Sequence, residues 1–242
     1  MQKVDISIIL PCYNEGPTFE KSISKIVSIL KKTRKKWEII FVEDKSTDKT
    51  RTTVEKLALQ IKNAKAIFHQ RNHGRGQSVS DGIIAAAGDI CGYLDVDLEV
   101  SANYIPIFID EIEKGADMAI GKRFYEGNLK SSIRFVTSKI YATTVKLLLN
   151  IPIEDTEAGY KFFRRSQILP ILAKVRDKKW FWDTEICTLC YLDGFKIVEV
   201  PILFIRRGDK KSTVKLIGDS WAYISQIIKF KSRIAKTKPV KI

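Results

Sequence analysis

Short apolar runs alternate with amphipathic stretches along the first half of the chain. Val4–Leu10 is a short apolar run that breaks into Pro11-Cys12-Tyr13-Asn14-Glu15, the pattern of a buried strand followed by a turn. Behind it, Phe19, Ile23, Ile26, Val27 and Leu30 recur at helical spacing. Trp37–Val42 predicts a second strand, closed by Glu43-Asp44, and Ser46-Thr47-Asp48 is a helix-start signal. The helix it opens presents Val54, Leu57, Ala58 and Ile61. Ala64–His69 predicts a third strand, Gly74–Ala87 a helix, and Ile90–Leu94 a fourth strand that runs straight into Asp95-Val96-Asp97. A helix near 103–114 and a strand near 116–121 complete the alternation.

Strands alternating with helices predict a parallel sheet covered on both faces. Ligands of such sheets bind beyond the carboxyl ends of the strands. Three polar clusters fall there: Tyr13-Asn14-Glu15, Glu43-Asp44 and Asp95/Asp97. After residue 122 the pattern changes. A polar loop (123–132) leads to a helical pattern in Ile133, Val136, Ile140, Thr144, Leu147 and Leu148. The segment Asp155–Phe163, a helix near 183–193 and a strand Lys196–Leu203 follow. The final stretch, 214–235, places Ile217, Trp221, Ile224, Ile228 and Phe230 along one stripe, with Lys229, Lys231, Arg233 and Lys236 in its last turns. No repeat or long linker interrupts the chain, so residues 1–213 are expected to form one domain and 214–242 a basic amphipathic helix and tail.

Composition narrows the classes. The 242 residues are 45% hydrophobic and 29% charged, which are globular values. With 13 Gly, 7 Pro and 4 Cys, collagen-like and disulfide-scaffold classes are excluded. No apolar run approaches the roughly 18 residues of a membrane span. Ile6–Leu10 is too short for a signal peptide and stops at Pro11, which makes cytosolic the default expectation. Cys12, Cys91, Cys187 and Cys190 lack zinc-ligand spacing and are expected as buried thiols. Of the net charge of +14, +9 lies in residues 204–242. A basic tail on a nearly balanced body points to an anionic partner: a membrane surface, nucleic acid or a phosphorylated substrate. Nucleic acid is disfavoured, because no recognition motif for it is evident.

Asp95-Val96-Asp97 is the sharpest local feature. Carboxylates at i and i+2 after a buried strand leave the core together and can flank one cation, and Mg²⁺ and Mn²⁺ prefer such oxygen ligands. Glu99 would add a third oxygen; the plain alternative is a solvated acidic turn. Glu15, Glu43 and Asp44 can accept hydrogen bonds from a ribose or a base edge, or cap helices, and Tyr13 can lie against a base. Asn72-His73-Gly74-Arg75-Gly76-Gln77 precedes a helix and resembles a phosphate-cradling loop. It is neither GxGxxG nor a P-loop, yet Arg75 could meet a diphosphate. Lys122-Arg123, Arg134, Arg206-Arg207 and Lys210-Lys211 are candidate phosphate grips or a solvated basic face. Asp155-Thr156-Glu157 offers a catalytic base or a turn.

Taken together, these motifs resemble glycosyltransferase family 2, the inverting GT-A enzymes, from residue 4 to about 216. Pro11–Glu15 resembles that family's PxYNE, and Glu43–Asp48 its DDxSxD with Glu for the first Asp. Asn72–Gln77 resembles its N-x-G-[KR]-G loop, and Asp95–Asp97 its metal motif. Gly121–Phe124, Asp155–Phe163, Trp182–Glu185, Glu199–Ile202, Arg207 and Ser212-Thr213 occur in the order seen in dolichyl-phosphate mannose and glucose synthases. Glu99, where mannose synthases have Gln, and Lys210–Thr213 depart from the pattern and leave the donor sugar open. The resemblance implies a Rossmann-like, mostly parallel α/β sheet flanked by helices. It implies a nucleotide-diphosphate sugar (GDP-mannose or UDP-glucose) held by Pro11, Tyr13, Glu15, Glu43, Asp44, Arg75 and Asp95, with Mg²⁺ or Mn²⁺ on Asp95, Asp97 and Glu99. It implies a polyprenyl or dolichyl phosphate gripped by Arg123, Arg134, Arg207 and Ser212, with Asp97, Arg123, Arg134 and Asp155 at the reaction centre. The acceptor implies work at the cytoplasmic face of an anionic membrane, through the basic C-terminal helix or with a membrane-spanning partner subunit. The rival expectation is a family 2 enzyme with a hydroxyl acceptor and Asp155 or Glu157 as base.

Overall fold

The computed structural model describes residues 3–125, 141–206 and 218–236, with side chains of the last stretch from 225 to 235. Each of the first four apolar runs becomes a strand: β1 (Ile6–Cys12), β2 (Trp37–Glu43), β3 (Ala64–Phe68) and β4 (Ile90–Leu94). The connecting helices are α1 (Phe19–Lys32), α2 (Thr50–Gln60) and α3 (Arg75–Ala85). A 3₁₀ turn (Ala102–Tyr104) leads into α4 (Ile105–Glu113) and then β5 (Met118–Tyr125). Helical residues 141–149 (α5) come next. β6 (Tyr160–Arg164), α6 (Arg165–Leu172), α7 (Trp182–Leu192), β7 (Ile197–Phe204) and α8 (Gly218–Lys236) complete the described chain.

The seven strands form one sheet in the order β3-β2-β1-β4-β6-β5-β7. β1 to β4 run parallel, as do β5 and β7. The sheet is mostly parallel, as expected; the exception is β6, which runs antiparallel to both β4 and β5. Its residues Tyr160, Lys161, Phe162 and Phe163 are all buried, so neither strand alternation nor helical spacing marked it in the sequence. β5 also extends to Tyr125 and pairs with β7 over eight residues, beyond the expected end near 121.

All seven residues of β1 are buried, because helices cover both faces of the sheet. On one face, Phe19, Ile23 and Ile26 of α1, Val54 and Leu57 of α2, and Ile105, Phe108 and Ile112 of α4 pack on Ile8, Leu10, Ile39 and Phe41. On the other, Val79 and Ile83 of α3 join Ile168 and Ile171 of α6, Ile186 of α7, and Ile227 and Phe230 of α8. All four cysteines are buried free thiols, as expected, and burial pushes Cys91 and Cys187 up to about 12.

Of the expected C-terminal stripe, Ile217, Trp221 and Ile224 lie outside the described side chains; among those described, Phe230 is buried as expected, Ile227 is buried beside it, and Ile228 is 56% exposed. Phe230 meets Phe181 edge-to-face at 5.7 Å, Arg233 pairs with buried Glu185, and Ile234 packs on the same core. Among the described residues no helix is long and apolar enough to cross a membrane.

Candidate functional site

The site grows from the carboxyl ends of β1, β2 and β4. Beyond β1, Asn14 takes φ +53°, a left-handed conformation that asparagine tolerates. The turn is stitched to the loop after β2. Asn14 N donates to Ser46 Oγ at 3.1 Å, Thr47 N to Asn14 Oδ1 at 2.8 Å, and Glu15 N to Thr50 Oγ1 at 2.8 Å. Pro11 lies in register with Val42 inside the sheet. The Glu15 carboxylate accepts from Tyr13 N, which leaves the Tyr13 ring 43% exposed at the mouth of this turn.

Glu43 is fully buried. Its Oε1 accepts from Ser46 N at 2.6 Å, while Oε2 has no hydrogen-bond partner among the described residues and lies 3.6 Å from Arg51 Nη1. Asp44, by contrast, is filled by protein. His73 N and His69 Nδ1 approach Oδ1 at 2.7 Å each, and Gly74 N donates to Oδ2 at 2.8 Å. Asp44 therefore shapes the 72–77 loop, and Glu43 Oε2, buried beside Arg51, is the oxygen of this pair without a hydrogen bond among the described residues.

Several donors of that loop, read as a possible phosphate cradle, are used by protein in this structure. Two of its amides go to Asp44, and Gln77 N donates to Lys178 O at 3.0 Å. A β-carbon on Gly76 would lie 2.4 Å from Trp182 Cβ, so this glycine permits close packing against 178–182. Arg75 is likewise committed to protein: Nε and Nη2 donate to Asp95 Oδ1 at 3.0 and 2.8 Å, and Nη1 to Asp183 Oδ2 at 2.5 Å.

At the end of β4, Asp95 N donates to Gly159 O at 3.2 Å, which joins this strand end to the loop before β6. Partial burial pushes the Asp95 carboxyl above its ordinary range, Arg75 pulls it down, and the nearby Asp97 charge pushes it up again; the net direction is up. Leu98 at φ +54° tightens the turn, and Glu99 N donates to Asp97 Oδ1 at 3.2 Å. Glu99 is drawn toward β7, where its carbonyl accepts from Ile205 N at 2.8 Å. Among the described residues no three His, Cys, Asp or Glu side chains are grouped as a metal cluster, and Glu99 stays the candidate third oxygen beside Asp95 and Asp97. Asp95 and Asp97 are the candidate pair for a cation at this strand end.

Arg123, on β5, clamps Asp155 through two parallel bonds, Nε to Oδ2 at 2.7 Å and Nη2 to Oδ1 at 2.8 Å. Its guanidinium lies within 6.0 Å of the Tyr125 and Phe204 rings. Burial alone would raise Asp155, but Arg123 outweighs it and holds the carboxyl below the ordinary range. Asp155 is thus a poor base, and Arg123 is already ion-paired. Glu157, 3.6 Å from Arg123 Nη2, is pushed up to about 7 by burial and by the Asp155 and Asp183 charges, against the pull of Arg123. Arg134, Arg207 and Ser212, expected at the acceptor phosphate, lie outside the described residues.

Three buried charges escaped the residue-by-residue reading. Lys161 Nζ donates to Asp183 Oδ1 at 2.6 Å, and Tyr93 hydroxyl donates to the same oxygen. Burial pushes Asp183 up, but Lys161 and Arg75 prevail and hold it below the carboxylate range. Glu185 accepts from the backbone of Arg176 and Asp177 as well as from Arg233. The available signals were a lysine inside the apolar run Tyr160–Phe163 and two acids in the first turn of α7.

The glycosyl transferase family 2 model matches residues 7–169. Glycosyltransferase AglD of Haloferax volcanii is 29% identical over 231 residues, covering 93% of this chain and 37% of that protein. The dolichyl-phosphate beta-glucosyltransferase of Saccharomyces cerevisiae is 28% identical over 223 residues, covering 83% and 67%. The dolichol-phosphate mannosyltransferase of Pyrococcus furiosus is 29% identical over 241 residues, covering 95% and 65%. The chain thus spans 37% to 67% of the length of these relatives. Glucosyl-3-phosphoglycerate synthase of Mycobacterium tuberculosis, solved with uridine diphosphate, superimposes with TM-score 0.70 at 18% identity over 95% of this chain and 80% of that one. Its complex with Mn²⁺, uridine diphosphate and phosphoglyceric acid gives 0.68 at 17% identity, over 94% and 77%. At such identity the likeness is one of fold, and it is the GT-A arrangement. With two thirds of its length matched by the family model, the chain belongs to glycosyl transferase family 2.

Proposed function

We propose that the chain transfers a hexose from a nucleotide-diphosphate sugar to a polyprenyl phosphate at a membrane surface, with inversion at the anomeric carbon. The observation that carries this reading is the Asp95–Asp97 pair at the tip of an inner strand, with Asp95 braced by Arg75. The relatives named as dolichyl-phosphate transferases support the acceptor class.

Asp95 and Asp97 suit a hard divalent cation, Mg²⁺ or Mn²⁺. Asp95 Oδ2 takes neither bond from Arg75, and it occupies the space that a β-carbon on residue 159 would need. A cation held there would stabilise the negative charge developing on the departing diphosphate. Tyr13 and Glu43 Oε2 lie at neighbouring strand ends and would receive the nucleoside.

A phosphate monoester has a second pKa of about 6 and is largely dianionic at neutral pH. Its oxygen attacks the anomeric carbon as the carbon–oxygen bond to the diphosphate breaks, and the nucleoside diphosphate leaves with the electron pair. No proton needs removing. That fits an Asp155 filled by Arg123 and held ionised. The guanidinium of Arg123 would keep its Nη1 side toward the acceptor phosphate.

One observation favours a second reading. Glu157 at about 7 has the acidity of a general base, as a hydroxyl acceptor would require. Incubation with labelled GDP-mannose or UDP-glucose, polyprenyl phosphate and Mg²⁺ or Mn²⁺, followed by lipid extraction, separates the two. Label in the lipid phase is expected. Label moving only to glycan acceptors favours the hydroxyl reading, and label moving to neither contradicts both.

A further inference from the structure

Behind Asp95 lies a closed ring of polar contacts that the proposed reaction leaves unused. Arg75 engages all three nitrogens, two on Asp95 Oδ1 and one on Asp183 Oδ2. Asp183 Oδ1 accepts from the Tyr93 hydroxyl and from Lys161 Nζ. Lys161 Nζ also donates to Ala158 O at 2.5 Å, and the next carbonyl, Gly159 O, accepts from Asp95 N. The ring therefore starts and ends on the same aspartate and ties β4, α3, α7 and β6 together.

Exposure rises along it toward the site. The side chain of Lys161 is 0% exposed, Asp183 3%, Arg75 12% and Asp95 44%. Asp95 is thus where a buried charge array reaches solvent. Its two oxygens are not equivalent. Oδ1 takes both Arg75 bonds, and Oδ2 lies only 1.9 Å from where a β-carbon on Gly159 would sit.

We propose that Asp183 and Gly159 are positioning residues for the donor: Asp183 locks Arg75 so that Asp95 Oδ1 is kept for the protein, and Gly159 leaves the space in which Oδ2 faces the cation and diphosphate. The inference rests on the donor reading above. Groups that orient a metal ligand commonly change metal affinity by about 10–100-fold when removed. A ring that served only to hold the fold would leave that affinity untouched in any variant that folds.

The test titrates Mn²⁺ by electron paramagnetic resonance into the full chain with uridine or guanosine diphosphate, alongside thermal melting. Asp183→Asn removes the anchor of Arg75 but strands buried Lys161. Lys161→Met/Asp183→Asn removes opposite charges together and keeps the interior balanced. Gly159→Ala reaches the same oxygen sterically; the atoms its methyl would meet are the ends of the Asp95 and Arg75 side chains, which can swing aside. The double variant and Gly159→Ala are each expected to melt cooperatively and to bind Mn²⁺–nucleotide about 10–100-fold more weakly than wild type. Wild-type affinity in both would overturn the positioning roles alone. A wild-type chain that binds no Mn²⁺–nucleotide would overturn the donor reading and these roles with it.

Discussion

Asp155 and Glu157 lie two residues apart, both partly buried, and are driven in opposite directions, because one takes both fork bonds of Arg123 and the other lies 3.6 Å from a nitrogen already engaged. The raised Glu157 has a consequence for stability. Between its ordinary value and about 7 the unfolded chain releases a proton that the folded chain keeps, so the contribution of this group falls as pH rises through that window. Glu157→Gln is therefore expected to melt above wild type at pH 8 and level with it near pH 4, as read by thermal denaturation. Under the hydroxyl reading the same change would also remove catalysis; under the phosphate reading transfer persists. Asp97→Ala belongs to this scale too: it is expected to lower transfer by about 10²–10³-fold with an unchanged melting curve, measured as label in lipid. The acids at the ends of β1, β2 and β4 were legible because a buried strand announces where it stops. Asp183 and Lys161 were not, since their pairing spans 22 residues and depends on the reversed β6. Nor did the spacing in Asp95–Glu99 reveal that the Glu99 carbonyl is drawn to Ile205.

At the scale of elements, α8 shows what amphipathic spacing can and cannot tell. The sequence marked a helix there, and a helix is present; of the expected stripe Phe230 is buried, while Ile228 faces out and its neighbour Ile227, about 100° around the helix, faces in. Tertiary partners fix this face: Phe181 for Phe230 and Glu185 for Arg233. Phe230→Ala is expected to cost about 3–5 kcal/mol, as burial and a ring contact are lost together. Urea denaturation checks it, and a loss within error of zero would show that α8 does not dock. The β1–α1–β2–α2–β3–α3–β4 order was readable because period and punctuation agreed at each step. β6 was not, because its short aromatic run is broken by Lys161, a charge whose burial depends on a distant partner, Asp183.

At the scale of the whole molecule, the excess of positive charge and the site geometry meet in one expectation. Lys229 and Lys231 are exposed on α8 beside exposed Ile228, while Arg233 turns inward to Glu185. Exposed lysines near an anionic bilayer are worth about 1 kcal/mol each. Lys229→Gln/Lys231→Gln is expected to weaken co-sedimentation with phosphatidylserine vesicles accordingly, and salt to do the same; unchanged binding would place the membrane contact elsewhere. The central claim is the location of the cation at the end of β4. A crystal of the chain grown with Mn²⁺ and the accepted nucleoside diphosphate tests it by anomalous scattering at the manganese edge. The account predicts a single strong peak in contact with Asp95 Oδ2, Asp97 and the diphosphate; a bound nucleotide whose manganese touches neither aspartate would contradict it.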